Sequence, residues 1–578
     1  MLPDFDRDFV ATYLRPQRPR LALLAGLLVS AIALQLANPV LLGAFIDRAR
    51  TGAALDTMLG IASAFLLVAL LAQAATVAET YVAEDVGWRT TNALRVDVTR
   101  HLLALDDSFH AEHAPGELIE RIDGDVSAIA GFFGRFVVHV AGSALFLLGV
   151  LGLLWYTDWR IGAVMTVCAA VALAFMARGG SHVRASARDA RQASAELSAF
   201  LEERLVALPD IKANGADSYT MRRLHERLRA RFLTGRRSTL ATSVFASTVS
   251  AVFVAGSAIA LGLGVLLQRS GALTVGAVFV VFRYTTMLRL PLERLSRHMN
   301  SFQQATGGII RVRQLLDVEP RVVDGDGATL PTGALSVELD RVCFAYDAEP
   351  VLDSVSFRLD PGSVLGLLGR TGSGKTTISR VLFRLHDVTA GAVVLGGVDV
   401  RRTELDHLRH RVALVTQDVQ LFAGTLRDNV TLFDPSVDDH ELRDVFESLG
   451  LDGWLAELPD GLDTLLGATG RGLSAGEAQL VAFARVFLTD PGLVVLDEAS
   501  SRLDPHTEQL LEQAISKLLE GRTGIVIAHR LSTVERADSI LVLEAGRIAE
   551  LGDRATLAAE AGSRFSQLVR AHAEEVLA

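Results

Sequence analysis

For its first three hundred residues the chain alternates long apolar runs with charged, helix-prone stretches; after that the period shortens and changes character. Six apolar runs stand out, over 20–46, 57–82, 131–156, 159–177, 243–268 and 272–298. Each is close to the ~20 apolar residues a helix needs to cross the hydrocarbon core of a bilayer. They lack the single apolar stripe expected of buried helices in an all-α soluble protein. The links at 47–56, 157–158 and 269–271 are short, whereas those at 83–130 and 178–242 are long and helix-prone. From about residue 336, short β-like runs such as Val364–Leu368, Arg411–Thr416, Leu493–Leu496, Gly524–Ala528 and Ile540–Leu543 alternate with helical segments. That alternation predicts an α/β domain with a largely parallel sheet. The expectation is a multidomain membrane protein: an all-α transmembrane domain over 1–317, a Pro-, Gly- and Asp-rich linker over 318–335, and an α/β domain over 336–578.

Composition supports that division. Half of the 578 residues are hydrophobic and the mean hydropathy is +0.33, too apolar for an ordinary soluble enzyme. The formal net charge of −11 argues against a nucleic-acid binder, whose footprint is basic. Cys168 and Cys343 fall in different halves with no C-x-x-C spacing, so neither a disulfide framework nor a zinc site is expected. The first apolar run is too long for a signal-peptide core and reads as a span that stays. Arginines collect in the N-terminal tail and the long links, among them Arg15, Arg18, Arg89, Arg95, Arg184, Arg222 and Arg236. The positive-inside rule therefore places the tail, the long links and the C-terminal half in the cytoplasm, at the plasma (inner) membrane.

The densest chemistry lies in Gly369-Arg370-Thr371-Gly372-Ser373-Gly374-Lys375-Thr376, followed by Thr377. It joins the apolar run Val364–Leu368 to a helical segment, the context that the G-x-x-x-x-G-K-[ST] pattern requires. Its glycines let backbone N–H groups surround a polyphosphate at a helix start. Lys375 is placed to reach the terminal phosphates, and the Thr376 hydroxyl to ligate Mg²⁺. The other lysines are Lys212 and Lys517, so this one is not a by-product of composition. Further on, Leu493–Leu496 delivers Asp497 and Glu498 at the end of a buried strand. There Asp497 suits Mg²⁺ and Glu498 suits the activation of water.

With these motifs in order along one chain, the sequence resembles an exporter-type ATP-binding-cassette half-transporter over nearly its whole length. Leu473-Ser474-Ala475-Gly476-Glu477 resembles that family's signature motif. The resemblance implies that Ser474, Gly476 and Glu477 cap ATP held by an opposite subunit, so that the nucleotide joins two cassettes. It also implies that Tyr346 stacks on adenine, that Gln417 senses Mg²⁺ and contacts the membrane domain, that Asp504 communicates across the dimer, and that His529 contacts the γ-phosphate. Phe109–Arg121 and Pro209–Asp217 resemble the two intracellular loops whose short helices couple to the cassettes.

Two departures stand in the signature: Ala475 where glycine is usual, and Glu477 where glutamine is frequent. An altered signature beside Glu498 and His529 is the combination of one subunit of a heterodimer; a homodimer that tolerates it is the alternative. Arg502 stands where relatives often have alanine and receives no role. The resemblance implies export or lipid flipping of a small amphipathic or hydrophobic compound by alternating access, with ATP and Mg²⁺. An importer built on the exporter architecture, as for siderophores, and an ATP-gated channel are the other classes. An ionisable group at membrane depth is a functional candidate. Arg283 is thus a candidate cavity group favouring anionic or amphipathic cargo, beside Tyr284 and Arg289 in the same span and the weaker Gln35, Asn38 and His139.

Overall fold

The computed structural model describes residues 7–131, 137–346, 349–467, 472–497, 505–527 and 534–577. They form two compact units, Met1–Leu103 with Ala114–Val318, and Ala104–His113 with Glu319–Ala578.

The first unit is helical. Its long helices are α1 (Arg18–Arg50), α2 (Leu55–Ala104), α4 (Val137–Thr157), α5 (Trp159–Val206) and α6 (Asp217–Arg269), while the six-residue α3 (Asp107–Glu112) lies in the other unit. Five described helices are long and apolar enough to cross a membrane. At 1.5 Å per residue the 50-residue α2 is roughly 75 Å long, more than twice the ~30 Å hydrocarbon core. Much of each long link is thus a helical extension of a span, α2 running to Ala104, α5 to Val206 and α6 from Asp217. Where hydropathy reads one run over 272–298, the helical hydrogen bonding is interrupted at Leu288, whose backbone stays right-handed helical, between α7 (Val275–Met287) and α8 (Arg289–Leu316). Pro291 is the cause: it has no N–H for the carbonyl of Met287, and its ring crowds the preceding turn.

Two contacts fix α7 on α1. The Asp47 carboxylate accepts from the Thr274 hydroxyl at 2.6 Å and the Gly276 N–H at 2.7 Å, capping the start of α7. The Tyr284 hydroxyl donates to the Leu36 carbonyl at 2.7 Å. Between them Gly276 lies so close to the carbonyl of Gly43 that a Cβ would not fit. Outside the apolar spans, Asp125 is 3% exposed. It pairs with Arg311 (Nε at 2.9 Å) and with Arg121 at 3.3 Å, tying α8 to the segment after α3. Burial raises the pKa of this carboxyl, but the hydrogen bonds and charges of the two arginines outweigh that and hold it below the usual carboxylate range.

In the second unit, β1 (Val337–Tyr346) and β2 (Glu349–Leu359) pair antiparallel, and β1 pairs on its other edge with β4 (Ala390–Leu395). The main sheet comprises β3 (Val364–Gly369), β5 (Val412–Val415), β6 (Leu493–Asp497), β7 (Thr523–Ile527), β8 (Ser539–Glu544) and β9 (Arg547–Asp553), in the order β9-β8-β3-β7-β6-β5. All neighbours except β8–β9 run parallel. The alternating burial of β1 reflects a strand covered on one face, while the continuous burial of β6 and β7 reflects strands covered on both. One apolar core fills the space between the two sheets. A second, with Phe446 and Phe483 fully buried, lies under the helices that follow β5.

Candidate functional site

Parallel strands carry their ligands at their carboxyl ends, and the sequence candidates gather there. β3 ends at Gly369 and leads through the glycine-rich loop into α9 (Lys375–Leu382). Asp497 is the last residue of β6, and Gln417 follows β5 by two residues. One strand, β7, separates β3 from β6, with Ile527 opposite both Leu367 and Asp497. At ~4.8 Å per strand Asp497 therefore stands roughly 10 Å across the sheet edge from the loop. Thr376 and Gln417 are exposed on this edge.

The loop is shaped for an anion. Lys375, 6% exposed, folds back over it and donates to the carbonyls of Gly369 at 2.7 Å and Arg370 at 3.1 Å. An ammonium held on weak carbonyl acceptors is ready to exchange them for phosphate oxygens, which accept more strongly. Ser373 is 5% exposed, and its Oγ has no hydrogen-bond partner among the described residues. A buried hydroxyl left unpaired costs free energy, so this one calls for a partner inside the loop. Both observations fit a polyphosphate.

Tyr346 closes β1, and its ring is held edge-on by Phe344 (centroids 4.8 Å apart) and His386 (5.4 Å). Arg380, on α9, donates to its hydroxyl at 3.1 Å. Beyond the ring lies a cavity of about 360 Å³ whose far wall is α3, with Asp106 and Asp107. The Asp107 carboxylate stands 3.8 Å from His386 Nε2 and 4.0 Å from Arg380. Burial holds the imidazole neutral to below its ordinary pKa; Asp107 and Asp106 oppose that shift, and Arg380 and Arg321 add to it. The sequence did not single out Arg380, His386 or Asp107. Their types are common on surfaces, and no spacing links residue 107 to residue 386.

In the signature segment, Glu477 has a local structural role. Ser474 caps α10 (Ala475–Leu488), its Oγ accepting from the Glu477 N–H at 3.2 Å. The Glu477 carboxylate reaches back to the Ser474 N–H at 2.6 Å and also accepts from Trp454 Nε1 at 3.2 Å. Glutamate at this position thus completes a capping box, a pattern legible as S-x-x-E, and is turned onto its own helix. Ser474 and Ala475 are exposed while Gly476 is buried. Another residue missed by sequence reasoning is Arg485, a lone charge in the apolar run of α10. It donates to the carbonyl of Asn429 at 2.6 Å and of Gln420 at 3.1 Å, joining this helix to the segment after Gln417. Burial lowers its pKa.

Glu498, Arg502, Asp504 and His529 lie outside the described residues, as does the side chain of His139. Of the membrane candidates, Tyr284 is 1% exposed and spent on the Leu36 carbonyl, so it packs inside the unit rather than facing a cavity. Gln35 donates to the Thr76 hydroxyl at 3.3 Å, and Asn38 Oδ1 is buried without a partner among the described residues. Arg283 is exposed.

Comparison with known proteins bears on the family and the fold. The family model of the ABC transporter transmembrane region matches residues 21–292, and that of the ABC transporter matches residues 352–501. An ATP-dependent lipid A-core flippase of Syntrophus aciditrophicus is 30% identical over 561 residues, covering 95% of this chain and 92% of that protein. The uncharacterized ABC transporter ATP-binding protein YknV of Bacillus subtilis is 29% identical, covering 97% and 93%. A bacterial Atm1-family ABC exporter solved with ATP bound superposes with a TM-score of 0.79 at 27% identity, covering 96% of this chain and 98% of that one. The chain belongs to the ABC transporters, with the membrane and ATP-binding regions fused in one polypeptide.

Proposed function

We propose, from that membership and the geometry of the loop, that this chain is half of an ATP-driven exporter or lipid flippase for small amphipathic or hydrophobic compounds. The observation that carries the reading is the buried pair Lys375 and Ser373, poised around an anion site at the carboxyl edge of a sheet in a chain that also bears membrane-spanning helices. The name carried by several relatives, lipid A-core flippase, brings a lipid with a charged head group within the substrate class.

In this reading Gly369–Thr377 bind the phosphates, Lys375 exchanging its carbonyl acceptors for them, and Tyr346 offers its ring to adenine. Thr376, Asp497 and Gln417 present hydroxyl, carboxylate and amide oxygens along one edge, a hard donor set that suits Mg²⁺. When bound, the ion neutralises charge on the phosphates. Glu498 orients and deprotonates the attacking water; His529 contacts the γ-phosphate and Asp504 the partner. The exposed Ser474 and the N-terminal N–H groups of α10 face the nucleotide of a second subunit, identical or different, while Glu477 fixes that helix start. Both cassettes and the N-terminus lie on the cytoplasmic side of the inner membrane. Closure of the cassettes on ATP and reopening after hydrolysis reshape the helices between two accessible states.

The test is ATP-dependent movement of fluorescent amphiphiles in proteoliposomes of the full chain, compared with Glu498→Gln. That variant should retain ATP binding and lose turnover by at least 10²-fold, within the range for general acid–base catalysis. Turnover equal to wild type would remove Glu498 from the role. Robust ATPase by the chain alone would favour a homodimer.

A further inference from the structure

Beyond the ring of Tyr346 stand charged groups that phosphate binding does not use. The cavity they line measures about 360 Å³, the size of a small-molecule site, and all of its walls belong to the second unit, α3 included. His386 is 8% exposed, yet its Nε2 has no hydrogen-bond partner among the described residues. The Asp107 carboxylate stands 3.8 Å from it, too far for a hydrogen bond. Arg380 is 4.0 Å from the same carboxylate. Asp106 next to it is already taken by the Arg321 and Val322 N–H groups. A buried polar atom left unpaired costs free energy. This one faces a carboxylate across a gap that one small group would fill.

The chemistry of that group is constrained. An ionised Asp107 only accepts, and the His386 imidazole, kept neutral by burial, can accept at Nε2. An amino group between them would donate one N–H to each. A carbonyl oxygen in the same place would meet a carboxylate with nothing to donate. The position of the gap suits a nucleobase. Tyr346 lines the cavity, and its hydroxyl accepts from Arg380 at 3.1 Å. Arg380 follows Lys375 by five residues on α9, about 7.5 Å along the axis, a step that the ribose between phosphate and base bridges. Adenine carries an amino group at C6, whereas guanine carries an oxygen there.

We propose that this cavity receives the purine base and that Asp107, with His386, selects adenine over 6-oxopurines by accepting from its 6-amino group. This rests on the ATP reading above and adds a preference that stacking on Tyr346 does not supply, because every base has a π-face. The experiment measures ATPase of the full chain in proteoliposomes with three triphosphates. They are ATP, inosine triphosphate, whose C6 carries oxygen, and purine riboside triphosphate, whose C6 carries hydrogen. KM and kcat are read separately, and KM ratios are taken within each variant, so that differences in folded yield cancel. In wild type KM should rise roughly tenfold or more from ATP to inosine triphosphate, the scale of a hydrogen bond to an ionised group, with kcat alike because the phosphates are held elsewhere. Purine riboside triphosphate should fall between, since it loses the contact without gaining the repulsion. Asp107→Asn supplies an amide that donates to oxygen and should bring the inosine-to-adenosine ratio near one. Asp107→Ala should bring the inosine and purine riboside compounds level, because the repulsion is gone. An Asp107 that only holds the fold together would shift all three KM values in common and leave the ratios unchanged. That outcome, or equal KM for the three in wild type, would overturn the assignment of Asp107 while leaving ATP-driven transport standing. Hydrolysis of none of the three, with no displacement of a fluorescent ATP analogue by any of them, would overturn the nucleotide reading itself, and this proposal with it.

Discussion

Two glycines of the phosphate loop separate backbone freedom from steric room, and alanine at each gives different expected losses. Gly372 has φ +81°, and a Cβ built there meets nothing within 4 Å. Gly372→Ala therefore carries the left-handed penalty alone, about 1–2 kcal/mol. The loop must hold its shape to surround phosphate, so that penalty is charged against binding and should weaken ATP affinity about 5–30-fold. Gly369 differs, because a Cβ there would be driven into the backbone carbonyl of Leu543 and would meet Ser373 Oγ at 2.7 Å. β8 pairs with β3 across this contact, with Leu543 opposite Gly369, and cannot retreat without opening the sheet. Overpacking of a fixed core adds about 1–3 kcal/mol, so Gly369→Ala should bind ATP about tenfold more weakly than Gly372→Ala and melt at lower temperature without nucleotide. Titration with a fluorescent ATP analogue and melting of the full chain in detergent, with and without ATP, measure both effects. Equal affinities in the two variants, or Gly372→Ala as the weaker binder, would refute the argument that the loop in this shape is the bound form.

Three other expectations follow from contacts outside the loop. Asp125→Asn strands Arg311 and Arg121; breaking a buried pair costs about 3–5 kcal/mol, and because these arginines are 45% and 25% exposed about 2–3 kcal/mol is expected. That is a melting shift of roughly 4–10 °C, and since the native pKa is lowered the difference should be full near neutral pH and fade as pH falls through the native value, below about 4. Glu477→Ala removes both acceptors at the start of α10 and should destabilise by about 1 kcal/mol with a shift in Trp454 emission, whereas Glu477→Gln keeps an acceptor and should be near neutral; a reversed order would show that the capping box is not what selects glutamate. Because the pKa of His386 is lowered in the fold, the unfolded chain binds the extra proton below about pH 6.5. Stability should decline between pH 7.5 and 5.5, and His386→Phe should flatten that slope in parallel melts.

Much of the architecture is readable from hydropathy because lipid imposes a simple rule: spans must be long, apolar and helical. The buried runs of β3, β6 and β7 are similarly legible, since strands covered on both faces lose their alternation. The interruption at Leu288 is invisible to a hydropathy window, which averages over Pro291 instead of asking which carbonyl loses its donor. In the cassette, Lys375 and Asp497 are legible because phosphate chemistry fixes both residue type and spacing. Arg380, His386 and Asp107 are not, since they meet through tertiary packing between positions more than 250 apart in sequence. Tyr284 misleads for a related reason: a polar residue in a span suggests a cavity, but one well-placed carbonyl, that of Leu36, is enough to bury it.

The unit that carries the main sheet is discontinuous, because Ala104–His113 belongs to it despite lying between membrane helices in sequence. Asp106 in that segment accepts from the backbone N–H groups of Arg321 (2.5 Å) and Val322 (3.0 Å), so the ten-residue insert is stitched to the chain just ahead of β1. Chimeras that exchange cassettes between relatives by cutting near residue 318 would therefore sever a module that the polypeptide assembles from two places. A graft that also carries Ala104–His113 should inherit matched surfaces, and one that omits it must find its complement in foreign sequence.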